Sequence, residues 1–196
     1  MSSSASTTAT TSKTINAQAN ALWQKQPKAN AEFFALTYGA LVAELVRDLE
    51  QNSEIQAELD RMGHSIGIRF IEEVLAKAPE LKVSQQFMET VDVVKVAMKL
   101  FLGVTVEIVT SADDQYIVKM NENPLMVFVE LPEDRQDLQY NQLLAGMLRG
   151  MLEMLQFDCD VSISSSTTTG NKEIYELKVV LKQVLQGGAG EEYQEE

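Results

Sequence analysis

One cysteine and one histidine in 196 residues leave few side chains for catalytic chemistry. A lone Cys159 cannot close an intramolecular disulfide, so the chain is no stapled secreted scaffold and suits a reducing cytosol. His64 would have to anchor any charge-relay triad by itself. Its neighbours Gly63, Ser65, Ile66 and Gly67 read as helix packing, not as a pocket holding a base and a nucleophile. The GxxxxGK[ST] phosphate loop, HExxH, CxxC and the GxSxG elbow are all missing, which argues against an enzyme. No apolar run reaches the roughly 18 to 20 residues of a membrane span, and the N-terminus lacks the apolar centre of a signal peptide. Membrane contact is therefore expected to be peripheral. Positive charge is short too. With 16 Lys and Arg against 29 Asp and Glu, the net charge of -13 repels phosphate backbones and argues against nucleic acid.

The acidic residues that are present form no recognisable metal or catalytic set. Asp113 and Asp114 suit a turn, and Glu73 with Lys77 has the spacing of a helix-surface ion pair. Neither cluster offers calcium its several oxygen ligands at loop spacing. A hydrolase working through carboxylates would need an acidic pair in a shared pocket, and none is visible. Cys159 falls on the inward side of a strand pattern, where a thiol behaves as a small hydrophobe.

Residues 1–31 are rich in Ser, Thr and Ala and read as a disordered tail, with Trp23 an isolated apolar point. Residues 32–185 carry the periodic patterns of one domain, and 186–196 (QGGAGEEYQEE) read as a flexible acidic arm. From Glu32, Phe34, Tyr38, Leu41, Val42, Leu45 and Leu49 share a helix face that Phe33, Leu36, Ala40 and Val46 widen. One neighbour cannot cover so broad a stripe. Either a second element or a second subunit takes the remainder, which makes Phe33, Leu36, Leu41 and Leu45 the interface candidates.

Ser53 and Gln56 have the spacing of a capping box for a helix running to about Ala78, stopped by Pro79. A third helix turns Val91, Val94, Met98 and Phe101 inward and Asp92, Lys95 and Lys99 outward, with Gly103 as its left-handed cap. The period then drops to two over Val104–Thr110 and Gln115–Met120, a hairpin. Asn141–Gln156 is a strongly amphipathic helix, followed by strands over Asp158–Ser164 and Glu173–Lys182. These elements predict an α+β fold, helices packed on an antiparallel sheet. Two helices contain glycine pairs one turn apart, Gly63 with Gly67 and Gly146 with Gly150. At roughly 1 kcal/mol of lost helix propensity each, such pairs imply another backbone pressed against that face.

Four stretches in order, Phe34–Leu41 (FALTYGAL), Met62–Glu72 (MGHSIGIRFIE), Asn123–Pro132 (NPLMVFVELP) and Leu143–Met154 (LLAGMLRGMLEM), closely resemble the transport protein particle (TRAPP) small-subunit family, subunit-three type. The resemblance covers about Ala31 to Leu185. It implies an α/β plait, dimerisation with related small subunits through the N-terminal helices, and a place in a vesicle-tethering complex between endoplasmic reticulum and Golgi. That complex acts as a guanine-nucleotide exchange factor for a Rab GTPase. It further implies a cytoplasmic protein, peripheral to those membranes, whose arm Ala189, Gly190, Glu191, Glu192 and Tyr193 reaches the GTPase. The family's acylated cysteine falls here at Ser84, which argues against acylation at that loop and against any bound cofactor. A tunnel floored by Gly67, Ala97 and Gly146 could still hold a free lipid, although close helix packing accounts for the same small residues. Two readings stand at this point: a scaffold subunit contributing to exchange, and a module that binds an acyl chain.

Overall fold

The computed structural model describes residues 4–81, 85–169 and 172–185, with side chains placed from residue 14 onward except at 165–173. Five helices and four strands follow one another: α1 (Ser4–Lys25), α2 (Ala31–Asp48), α3 (Asn52–Lys77), α4 (Thr90–Leu102), β1 (Val106–Ala112), β2 (Gln115–Met120), α5 (Gln142–Met154), β3 (Phe157–Thr169) and β4 (Lys172–Val184). The strands form one antiparallel sheet in the order β1-β2-β4-β3. This is the expected α+β class, helices on an antiparallel sheet.

Alternation decides which sheet face meets the helices. Tyr116, Val118 and Met120 of β2, Cys159 and Val161 of β3, and Leu177 and Val179 of β4 are buried on one side. The other side is charged, with Lys119 on β2 bonded to Glu176 on β4 at 2.8 Å. The inner face receives α5 and α4. Nearly every residue of α4 from Val93 to Met98 is buried, because helices and sheet enclose it together. Its end is as expected: Gly103 takes φ 71, a left-handed conformation that costs glycine little.

Helices α3 and α5 lie parallel at backbone contact. A Cβ added at Gly63 would stand 2.9 Å from the Leu143 carbonyl carbon and the Met147 nitrogen, and one at Gly67 would meet Met147 and Met151 in the same way. From the opposite helix, Gly146 lies against Asp60 (2.9 Å to its carbonyl carbon) and Gly150 against His64 (3.0 Å). The glycines are reciprocal, so each offsets its lost helix propensity with a backbone approach no larger residue allows. Polar side chains brace the seam: Gln142 Nε2 donates to Asp60 Oδ1 at 3.1 Å, Arg149 pairs with Asp60, and His64 Nε2 lies 2.6 Å from Glu153 Oε2.

Four local expectations are corrected. Residues 1–31 read as a disordered tail, yet 4–25 are helical. Ala19 is buried and Ile15 and Leu22 half-buried against the core, a narrow stripe that an average over composition hides. Trp23 is no isolated point, since its ring lies over Gly103, within 2.8 Å of where a Cβ would be. The capping box is not made: α3 starts at Asn52 without a side-chain cap, and Gln56 Nε2 instead donates to the Asp137 carbonyl at 3.1 Å. Lys95, placed outward by periodicity, is buried beside Asp92 because α4 is covered on more sides than an amphipathic helix usually is.

Candidate functional site

Helix α2 is held at one side and bare at the other. Asn30 caps it, its side-chain oxygen accepting from Phe33 N at 2.8 Å. Ala35, Tyr38 and Val42 bury its inner face. Tyr38 donates its hydroxyl to the Tyr140 carbonyl at 2.5 Å, and the two rings meet edge to face at 4.9 Å. Burial and the neighbouring Tyr140 both raise the Tyr38 pKa, so the phenol stays a donor. Three of the four interface candidates stand outside: Phe33 is 72% exposed, Leu36 68% and Leu41 37%. Leu45 is half-buried and packs on the core.

An apolar groove flanks α2 on each side. One, of about 480 Å³, lies between α2 and α3 and is lined by Phe34, Thr37, Tyr38, Leu41, Met62 and Ile66 among others. The second, of about 300 Å³, lies between Gly39, Val42, Ala43 and Val46 of α2 and the segment Phe128–Pro132. Phe128 (63% exposed) of that segment and Val127 (65%) just before it face solvent. Sequence reasoning did not single these two out. The available signal was five consecutive apolar residues, Leu125 to Val129, held between Pro124 and Pro132 where no helix or strand could bury both sides.

The remaining candidates are scattered. Gly67 and Gly146 are filled by each other's helix backbones in the α3–α5 seam, and Ala97 is buried apart from them on α4. Ser84 and the arm Ala189, Gly190, Glu191, Glu192 and Tyr193 lie outside the described residues. Cys159 is buried, and desolvation, with Asp158 adding to it, pushes its thiol up to about 12, so it presents no thiolate nucleophile. Among the described residues no group of three or more His, Cys, Asp or Glu could hold a metal, and no helix is long and apolar enough to cross a membrane.

A few residues after Ser84 in the sequence, the chain enters an aromatic wall. Phe87 stacks on Tyr116 at 5.1 Å and meets Phe157 at 5.7 Å. Thr90 Oγ1 donates to the Phe87 carbonyl at 2.6 Å and lies 3.2 Å from the Tyr116 hydroxyl, which satisfies the polar atoms at the base of the wall. The wall itself is apolar and deep.

The fold is thus one of helices on a four-stranded antiparallel sheet with an apolar helix face left bare. The model for "Transport protein particle (TRAPP) component" matches residues 34–180, and the chain belongs to that family. Several of its relatives are named subunit 3 or bet3. The transport protein particle subunit bet3 of Schizosaccharomyces pombe is 42% identical over 84% of this chain and 90% of its own length. The trafficking protein particle complex subunit 3 of Dictyostelium discoideum is 39% identical over 89% of this chain and 95% of its own. A crystal structure of trafficking protein particle complex subunit 3 from Naegleria fowleri, covalently bound to palmitic acid, has a TM-score of 0.72 at 31% identity, covering 81% of this chain and 98% of that one. Membership makes this chain a non-catalytic scaffold component of a multi-subunit particle.

The Naegleria fowleri protein also overturns one expectation. Ser84 at the family's cysteine position argued against acylation there, though not against a free lipid, but a relative of the same fold does carry covalent palmitic acid. A serine hydroxyl excludes a thioester but can still carry an acyl group as an ester, so the residue type at position 84 does not by itself decide the matter.

Proposed function

We propose that this chain is a scaffold subunit of a trafficking particle whose fold shelters an acyl chain. The carrying observation is the palmitic acid bound covalently to the Naegleria fowleri relative, which this chain matches over nearly all of that protein's length. The packed aromatic cluster of Phe87, Tyr116 and Phe157 supports the reading, since it makes the core apolar a few residues after Ser84, where the resemblance puts the family's acyl group. Intact-mass measurement on the full chain purified from a eukaryotic host tests it. A palmitoyl-sized increment is expected under native conditions, and its survival under denaturing conditions shows that it is covalent. Spectra without an acyl adduct in either condition would end the acyl reading while leaving the scaffold role untouched.

A second element of the reading concerns partners. The bare apolar side chains of α2, Phe33, Leu36 and Leu41, favour packing against a related small subunit in the assembled particle. On this reading the dimer contact lies on the outer face of α2 and on its α3 flank, and the chain serves vesicle-mediated transport without a reaction of its own.

A further inference from the structure

Helix α1 is laid over elements that hold together without it. The family match spans residues 34–180 and so begins past the end of α1 at Lys25. Helix α2 needs nothing from α1 for its start, because Asn30 caps it. Helix α4, on which α1 lies, is secured from its other side: Phe101 stacks on Phe70 of α3 at 3.9 Å, and Val94 and Met98 are buried in the core.

The hold on α1 is slight. Its sequence is rich in Ser, Thr and Asn, weak helix formers, and most helical stability in proteins comes from packing. Among the described side chains of α1, those that reach the core are Ile15, Ala19 and Leu22. Trp23 closes the end of the helix like a clasp. Its ring lies over Gly103, and Lys28 Nζ stands 3.4 Å above the ring centre while donating to the Trp23 carbonyl. Past the clasp the joint is loosely filled. A cavity of about 350 Å³ is lined by Trp23, Pro27, Phe34, Lys77 and Phe101, and Lys77 Nζ donates to Gln26 Oε1 at 2.7 Å. The covered surface also favours release in part. Asp92, Val96 and Lys99 share a helical stripe with Gly103, so two of its four residues are charged and gain hydration when bared. Val96 is the apolar member, and it is buried.

We propose that α1 is a displaceable strap: it lifts from α4 as a unit while the rest of the fold stays closed, and in lifting it bares the face of α4 that carries Val96. Opening of this local kind falls to the elements with the fewest buried apolar contacts, and α1 has few beside α3, α4 or α5. The strap keeps that face of α4 from other molecules until it opens. It depends neither on the acyl reading nor on the dimer contact of α2.

Thiol trapping in the full chain tests this. Val96→Cys puts a thiol beneath α1, and the buried Cys159 of β3 serves as the internal standard for opening of the whole fold. Alkylation by N-ethylmaleimide is followed by mass spectrometry, each rate being compared with that of the same thiol in the urea-unfolded chain. The thiol at position 96 is expected to be at least about tenfold less protected than Cys159. Ala19→Asp sets a carboxylate into the buried side of α1 and should lower protection at position 96 about tenfold further, with Cys159 unchanged. Equal protection of the two thiols would overturn the proposal, as would an Ala19→Asp change that moved both or neither. The unaltered chain gives a second reading, because Trp23 is its only tryptophan. Its emission should shift to the red at a lower urea concentration than the main loss of far-ultraviolet ellipticity, and coincident transitions would show that α1 opens only when everything does.

Discussion

At Gly67 a single methyl group decides whether two helices can meet. Its Cβ would fall 2.9 Å from the Met147 carbonyl carbon and the Met151 nitrogen, and backbone cannot swing aside as a side chain would. Gly67→Ala is therefore expected to lower stability by about 1–3 kcal/mol or more, despite the better helix propensity of alanine. Urea denaturation measures it, and an unchanged or raised midpoint would refute backbone contact at the seam. Tyr38 and Tyr140 show the other residue-level theme, a phenol spent on holding α2 and a phenol left unpaired beneath it. Neither role could be read from spacing, because both depend on chain segments 102 residues apart.

Among the elements, those whose patterning is local were the legible ones. Helix α5, the β1–β2 hairpin and the Gly103 cap follow from periods of 3.6 and 2 and from one glycine at a terminus. The glycine pairs of α3 and α5 foretold backbone contact, although not that the pairs face one another in parallel. What composition hid was α1, where Ile15, Ala19 and Leu22 supply just enough of a stripe to lie on α4. The frame that presents Phe128 was equally illegible, since it is built from side chains bonded to distant carbonyls, Arg135 to Glu50 and Gln56 to Asp137. For α2, the breadth of the apolar stripe leaves Phe33, Leu36 and Leu41 exposed. If that face meets a sister subunit, Leu41→Glu should convert dimers to monomers or aggregates in sedimentation velocity, because a buried unpaired carboxylate is strongly disfavoured. A dimer that persisted would move the contact elsewhere.

For the whole molecule, burial of weak acids predicts a response to alkali. Cys159 rises from an ordinary 9.0 to about 12, and burial also raises the Tyr38 and Tyr116 phenols. Below pH 9 folded and unfolded chains alike keep these protons. Above it the unfolded chain releases them first, so the stability they contribute is lost as pH climbs towards the folded values. Each such group weakens the fold by up to about 1.4 kcal/mol per pH unit in that window. Urea midpoints at pH 7, 9 and 10.5 should fall in that order, and Cys159→Val should flatten part of the slope. A flat profile would mean that these groups are open to water.

The paired glycines of α3 and α5 also act as a vernier. Sliding one helix past the other by a single residue would drive side chains into carbonyls, and sliding by a full turn would leave a glycine unmatched at each end. Only one setting engages all four notches. The two helices are consequently locked along their common axis, and the surfaces mounted on them keep a constant spacing whatever binds at either.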